Sequence, residues 1–323
     1  MDTKYEFKPK SKWREKLGEK FIAINAFSAL IGITLIFIFI FKESIPIFTS
    51  AEVHEEVTIK KMVAPQIWKE GQKPKYTWQP NSNVPKYSLL PLFVGTLKAA
   101  LVAMLFAAPL GIGAAIYSSE FASKRMREII KPVIELLAGI PSVVLGFFAL
   151  IILATILQTL FGLTYRLNAL NAGIALGIAI VPIIFTVAED AMNSVPGSLR
   201  DAARALGANP WQVSFTMVLP AAMPGIAAGM VLGFGRAIGE TMAVMMVTGN
   251  AARMPLSPDA LFLPVRTMTA TIAAEMGEVA QGSTHFHVLF AIGIVLFVIT
   301  FIVNFIASIA IFRQSKRSAR LLS

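Results

Sequence analysis

Residues 21–41, FIAINAFSALIGITLIFIFIF, form an unbroken run of 21 uncharged residues. As an α-helix the run reaches about 31 Å, enough to cross the hydrocarbon core of a bilayer. It is longer than the roughly 7–15 apolar residues of a signal peptide's central region, so it reads as a retained span. Five more apolar runs follow, at about 89–118, 133–161, 170–188, 222–249 and 288–312. Six spans predict an all-α, polytopic membrane protein with both termini on one side. Composition agrees, since 55% of residues are hydrophobic and only 15% are charged. The absence of Cys excludes a disulfide framework, a thiolate metal site and a Cys nucleophile. The formal net charge of +10 reads as a topological signal rather than as nucleic-acid binding.

Charge orients the chain. Six Lys or Arg lie from Lys8 to Lys20, whereas Lys42 and four acids (Glu43, Glu52, Glu55, Glu56) follow the first span. Lys124, Arg125, Arg127 and Lys131 follow the second run, and Arg313, Lys316, Arg317 and Arg320 lie in the tail. Positive loops face the cytoplasm, so segment 1–20 and tail 313–323 are expected there. The seven Lys of outer segment 42–88 run against this rule, but that segment is long and most of them lie far from the span. It contains Pro65, Pro74, Pro80 and Pro85 and reads as an irregular extracytoplasmic loop with Trp68, Tyr76 and Trp78 as interfacial anchors. Residues 89–312 form the expected core, with Lys98 snorkelling to the nearer interface. Within segment 250–287, residues 267–280 suit a short interfacial or re-entrant helix.

Between spans four and five lies a polar stretch, RDAARALGANPWQVSFTMVLPAAMPG, at 200–225. Ser198 is placed to N-cap a helix over 199–206, and Gly207 to end it. Asn209-Pro210 then turns the chain into a second helix starting at Pro210. Arg200, Asp201 and Arg204 on an Ala-rich body suit docking into a cleft of a cytoplasmic partner. An ordinary connecting loop is the other reading of the same spacing.

Span five contains GFGRAIGETMAV. Arg236 and Glu240 stand four apart, so on a helix they share a face. Ionisable groups in a span mark either a structural ion pair or a functional site contacting an anion. Gly225, Gly229 and Gly233 recur every four residues, as do Gly235 and Gly239. These small-residue faces allow close helix packing, with a partner subunit as a candidate for one of them.

The loop resembles the coupling loop of membrane subunits of bacterial type I ABC importers, whose pattern is EAA, three residues, Gly, nine residues, Ile, any residue, Leu-Pro. Here it reads Asp201, Ala202, Ala203, then Gly207, then Met217, Leu219 and Pro220, with Asp for Glu and Met for Ile. The stretches GRAIGETMAV, LAGIPSVVLGFFAL (137–150) and 89–117 resemble the phosphate-specific members, PstC type rather than PstA type. The resemblance implies that the loop transmits nucleotide-driven closure, with Arg236, Glu240 and Thr241 on the substrate pathway. It also implies a PstA-like second permease, a PstB-like ATPase pair binding ATP and Mg, and a PstS-like phosphate-binding protein, in a bacterial or archaeal inner membrane. No Gly-Lys dipeptide occurs, so the chain has no phosphate-cradling ATP loop of its own. It is therefore expected to hold no cofactor and to be a transport subunit, not an enzyme. On this reading Glu240 competes with phosphate for Arg236.

Weaker signals point elsewhere. His285-Phe286-His287 reads as an interfacial loop rather than a metal site. Glu275 and Glu278 read as solvated or gating contacts. Glu120 and Glu135 are expected to face the cytoplasm or the basic loop, and Glu189-Asp190 to meet the coupling region. The rival functions are transport of molybdate or sulfate, and ion-coupled secondary transport through Glu240 or Asp190.

Overall fold

The computed structural model describes residues 12–67, 74–251, 254–257 and 259–322. Segment 1–20 therefore lies partly, and Trp68 wholly, outside the described residues.

Among the described residues, six helical stretches are long and apolar enough to cross a membrane: Lys16–Thr49, Leu90–Phe121, Ser142–Phe161, Ala169–Asn193, Pro210–Gly239 and Thr284–Ile306. Helix α1 (Lys12–Ser44) is charged up to Lys20, apolar all round over 21–41, and stands at the edge of the bundle. It touches the last span through edge-on ring pairs, with Phe37–Phe297 at 4.5 Å and Phe39–Phe290 at 5.5 Å.

After α1 come α2 (Pro46–Thr49), α3 (Ala51–Glu56), α4 (Ile59–Val63) and an antiparallel pair, β1 (Trp78–Gln79) and β2 (Lys86–Tyr87). This segment is not the irregular loop expected. Trp78, set opposite Tyr87, is fully buried among Ile47, Val57, Met62 and Leu289 rather than anchored at an interface. Four short apolar stretches too brief to signal alone combine into one core.

Helix α5 (Leu90–Ile116) runs into a π-helical turn, Tyr117–Phe121. The third expected span, 133–161, is divided. Helix α6 (Lys124–Ala138) stands apart and is N-capped by Ser123, whose side chain accepts from the Met126 N–H. The span itself is α7 (Ser142–Phe148), a π-helical turn (Ala149–Leu153) and α8 (Ala154–Phe161). Pro141 disfavours helical backbone in the residue before it, which separates the charged helix from the apolar one.

Helix α9 (Ala169–Asn193) is the central post of the bundle. Next come α10 (Gly197–Ala205), α11 (Pro210–Val213), a π-helical turn (Ser214–Val218) and α12 (Leu219–Gly239). Helices α13 (Met242–Val247), α14 (Met268–Glu275) and α15 (Thr284–Leu322) complete the chain. Small residues let the central helices touch: Gly173 and Gly177 of α9 face Val102 and Phe106 of α5. On α12, Gly225, Gly229 and Gly233 face Ala191, Val187 and Ile184 of α9. That glycine face packs within the chain, not against another subunit. Gly235 lies beside Asn304 of α15, and only Gly239 of this second pair faces open space.

Candidate functional site

The fifth span breaks where the sequence suggests one continuous helix over 222–249. α12 ends at Gly239, and Glu240 is extended (φ −69°, ψ 132°). The break is fastened from outside: Thr269 Oγ1 of α14 donates to the Glu240 carbonyl at 2.8 Å. Thr241 Oγ1 donates to the Gly239 carbonyl at 3.3 Å. α14 is anchored in turn, because the Met268 N–H donates to Thr96 Oγ1 of α5 at 3.0 Å. The short helix expected within 267–280 is thus present, and it supports the break.

This break separates Arg236 from Glu240. They do not share a helix face, and among the described residues no ion pair joins them. Arg236 occupies the last turn of α12, where a cation is favoured by the carbonyl end of the helix. Its side chain is exposed on the flank that also bears Leu232 and Gly239, while Gly233 and Ala237 face α9. A guanidinium without a carboxylate partner offers paired N–H donors to an oxyanion. Lys98 reaches toward the segment after the fifth span, where its Nζ donates to the Pro255 carbonyl at 2.7 Å.

The loop at the other end is built by local rules. α10 starts at Gly197 behind Pro196, so Ser198 lies inside the helix instead of capping it. Gly207 takes φ +83°, a left-handed conformation that glycine adopts freely. The Gly207 N–H then donates to Arg204 O (2.9 Å) and the Ala208 N–H to Ala203 O (3.1 Å), closing the helix end. Asn209 and Gln212 form a reciprocal capping box that starts α11.

The first loop helix has two sides. Asp201 and Arg204 are exposed and pair at 3.6 Å, and Leu206 is 90% exposed. Ala203 is buried and Ala202 is exposed. Arg200 does not belong to the outer face, contrary to expectation. It donates to Glu120 Oε1 at 2.9 Å, and to the carbonyls of Val195 (2.6 Å) and Met192 (2.8 Å). Leu219 and Pro220 open α12 directly below the loop.

Glu189 also departs from expectation. Glu189 is 1% exposed and meets α6 and the end of α5 rather than the loop. Ser118 Oγ donates to it at 2.7 Å, and the Lys131 ammonium lies 3.2 Å from its other oxygen. Asp190 and Glu135 are exposed.

At the hairpin end, Glu275 is not solvated. It pairs with Arg266, accepts from the Trp78 indole N–H at 3.1 and 3.2 Å, and meets His285 Nε2 at 2.8 Å. Glu278 is exposed. His285 and His287 are buried in the first turn of α15, not in a loop.

Leu206, Glu120 and the inward Arg200 carry no motif signature. The one hint is an apolar residue, Leu206, placed just before the helix-ending glycine of a polar stretch.

The family model described as binding-protein-dependent transport system inner membrane component matches residues 107–317. The chain belongs to this family. The match takes in both the loop with Gly207 and the break after Gly239. A Bacillus subtilis relative, "Probable ABC transporter permease protein YqgH", is 40% identical over 225 residues, 70% of this chain and 72% of that protein. A Mesorhizobium japonicum "Phosphate transport system permease protein PstC" is 38% identical, covering 75% of this chain and 78% of that protein. A solved bacterial ABC transporter involved in alginate import matches with TM-score 0.60 and 14% identity, covering 94% of this chain and 99% of that chain. That likeness shows the type I importer fold of these transport components.

Proposed function

We propose that the chain is the membrane-spanning subunit of an ATP-driven importer of inorganic phosphate. The observation that carries this reading is Arg236, a span cation with no carboxylate partner among the described residues, exposed beside a broken helix. Irregular backbone at membrane depth belongs where it lines a cavity, and an unpaired guanidinium there suits a tetrahedral oxyanion. Relatives named as phosphate transport permeases support the choice of anion. The basic N-terminal segment and tail support a cytoplasmic position for both termini, with the hairpin end outside. Asp201, Leu206 and Gly207 then present the loop to an ATPase pair that binds ATP and Mg. The exposed flank of Arg236 and Gly239 meets a second, PstA-like permease around a shared pathway, and the hairpin end receives a phosphate-binding protein.

In this cycle the ATPase pair pushes α10, the spans rearrange, and phosphate passes Arg236 with Thr241 at the break. Glu240 acts near the site as a separate negative charge that limits anion residence, not as the partner of Arg236. The test is phosphate uptake by vesicles holding the chain with its candidate partners, with and without ATP. ATP-dependent uptake, strongly reduced in Arg236→Ala and unaffected by sulfate or molybdate, supports class, substrate and site together. Uptake driven by a pH gradient without ATP overturns the class. Competition by another oxyanion overturns phosphate.

A further inference from the structure

We infer that Glu120 and Arg200 form a clamp that makes the second span, α5, move with the coupling helix. This inference rests on the proposal that the loop end meets an ATPase, and it assigns both residues a positioning role.

Chain connectivity alone joins the loop to only two spans. α10 follows α9 through 194–196, and it leads to α12 through α11 and the Ser214–Val218 turn. α5 has no such link, since Glu120 and Arg200 are 80 positions apart. The guanidinium supplies one. Its Nη2 reaches Glu120 Oε1 at 2.9 Å and Met192 O at 2.8 Å, while Nη1 reaches Val195 O at 2.6 Å. One rigid, planar group therefore joins α10, the end of α9 and the end of α5.

The joint is built to hold. The two side chains are 17% and 7% exposed, so separating them leaves a buried charge without its partner. Ser119 Oγ donates to the same Glu120 oxygen at 2.9 Å and fixes the carboxylate. Beside it, the rings of Phe121 and Trp211 lie 5.5 Å apart, a second bridge between the α5 terminus and the loop. Glu120 and Phe121 both stand in the π-helical turn Tyr117–Phe121. Such turns are rare overall and are frequent at functional positions. A pull on Glu120 thus acts on the π-helical turn that ends the second span, where the hydrogen-bond register departs from that of α5. The loop drives α12 through the chain and α5 through the clamp.

The chain's lack of Cys permits a direct test on the assembled complex. Spin labels go on Tyr117→Cys in the π-helical turn and Ser198→Cys in α10, both exposed positions. In the parent complex, trapping with ATP and vanadate should leave this distance unchanged, because the two elements move together. In a Glu120→Gln background the distance should change on trapping. A parent distance that changes, or a Glu120→Gln distance that does not, overturns the clamp. In the same vesicles, Glu120→Gln and Arg200→Gln should each lower phosphate moved per ATP about tenfold while ATP hydrolysis persists. Arg200→Lys should retain most of the coupling, and the double Gln variant should be no worse than either single. Multiplying effects in the double variant also overturn the clamp. If the parent hydrolyses ATP but moves no phosphate, the substrate reading fails, and the distance comparison still decides the clamp.

Discussion

Gly225 of α12 lies so close to Ala191 of α9 that a Cβ on Gly225 would come within 2.3 Å of the Ala191 Cβ. Neither group has a flexible end that can move aside. Gly225→Ala must therefore force the two helices apart and should cost about 1–3 kcal/mol. Gly239→Ala meets nothing within 4 Å and should change stability by less than about 0.5 kcal/mol. Thermal unfolding of both variants in detergent checks the contrast. Equal midpoints would show that this glycine face does not set the helix spacing.

Glu275 holds Arg266, Trp78 and His285 together at the hairpin end. Glu275→Gln leaves the largely buried Arg266 without its counter-charge, at a cost of about 3 kcal/mol. The loss should be local. Proteases should cut the hairpin segment 74–88 faster while the six spans stay intact. Unchanged cleavage would mean that the apolar cluster around Trp78 suffices without the ion pair.

The spans were legible because an apolar run of 20 residues has few other meanings. The loop was legible because Gly207, Asn209 and Pro210 each fix backbone by a local rule. What failed was long-range. Trp78 was read as an interfacial anchor because its burial needs Ile47, Met62 and Leu289, residues from distant parts of the chain. Arg236 and Glu240 have ideal helical spacing, and nothing in their own sequence reports that Thr269 pins an extended Glu240. Arg200 was assigned to the outer face because its partner, Glu120, lies 80 positions earlier.

Tyr87 gives a pH signature of the hairpin core. Burial, then the charges of Glu56 and Glu275, push its phenol from 10.0 to about 12. The folded state keeps the phenol neutral while the unfolded chain ionises above 10.0. The unfolded state then holds fewer protons, so stability should fall as pH rises from about 10 to about 12. Below that window Tyr87 contributes no pH dependence. Tyr87→Phe should remove this part of the alkaline decline, seen by comparing unfolding midpoints across the window. A parallel decline in the variant would assign the effect to other groups.

Leu206 is a large apolar side chain held almost wholly in the open by the Gly207 turn. Burying it in a partner's groove should contribute about 2 kcal/mol of binding. Leu206→Asp should therefore weaken capture of the ATPase subunits by about 30-fold or more, adding an unpaired charge to the lost apolar contact. It should leave the folded permease unchanged, since the side chain touches no core residue. Normal co-purification of the ATPase with this variant would remove Leu206 from the docking surface.

Arg236 and Glu240 offer the sharpest distinction between the helix that the sequence suggests and the break that the structure contains. In one continuous helix the two form an ion pair, and each would act mainly through the other. Removing both would then cost little more than removing one. The break leaves them without direct contact, so their effects on transport should be independent. Expressed as activation free energies, the losses in Arg236→Ala and Glu240→Gln should add to within about 0.5 kcal/mol in the double variant. Arg236→Ala should reduce uptake most, because it removes the group that meets the anion. Glu240→Gln should instead tighten anion residence and lower the maximal rate at saturating substrate. Uptake rates of the four proteins, measured over a range of phosphate concentrations at equal permease content, complete the cycle. A double variant no worse than Arg236→Ala alone would restore the ion pair and place the two side chains together during transport.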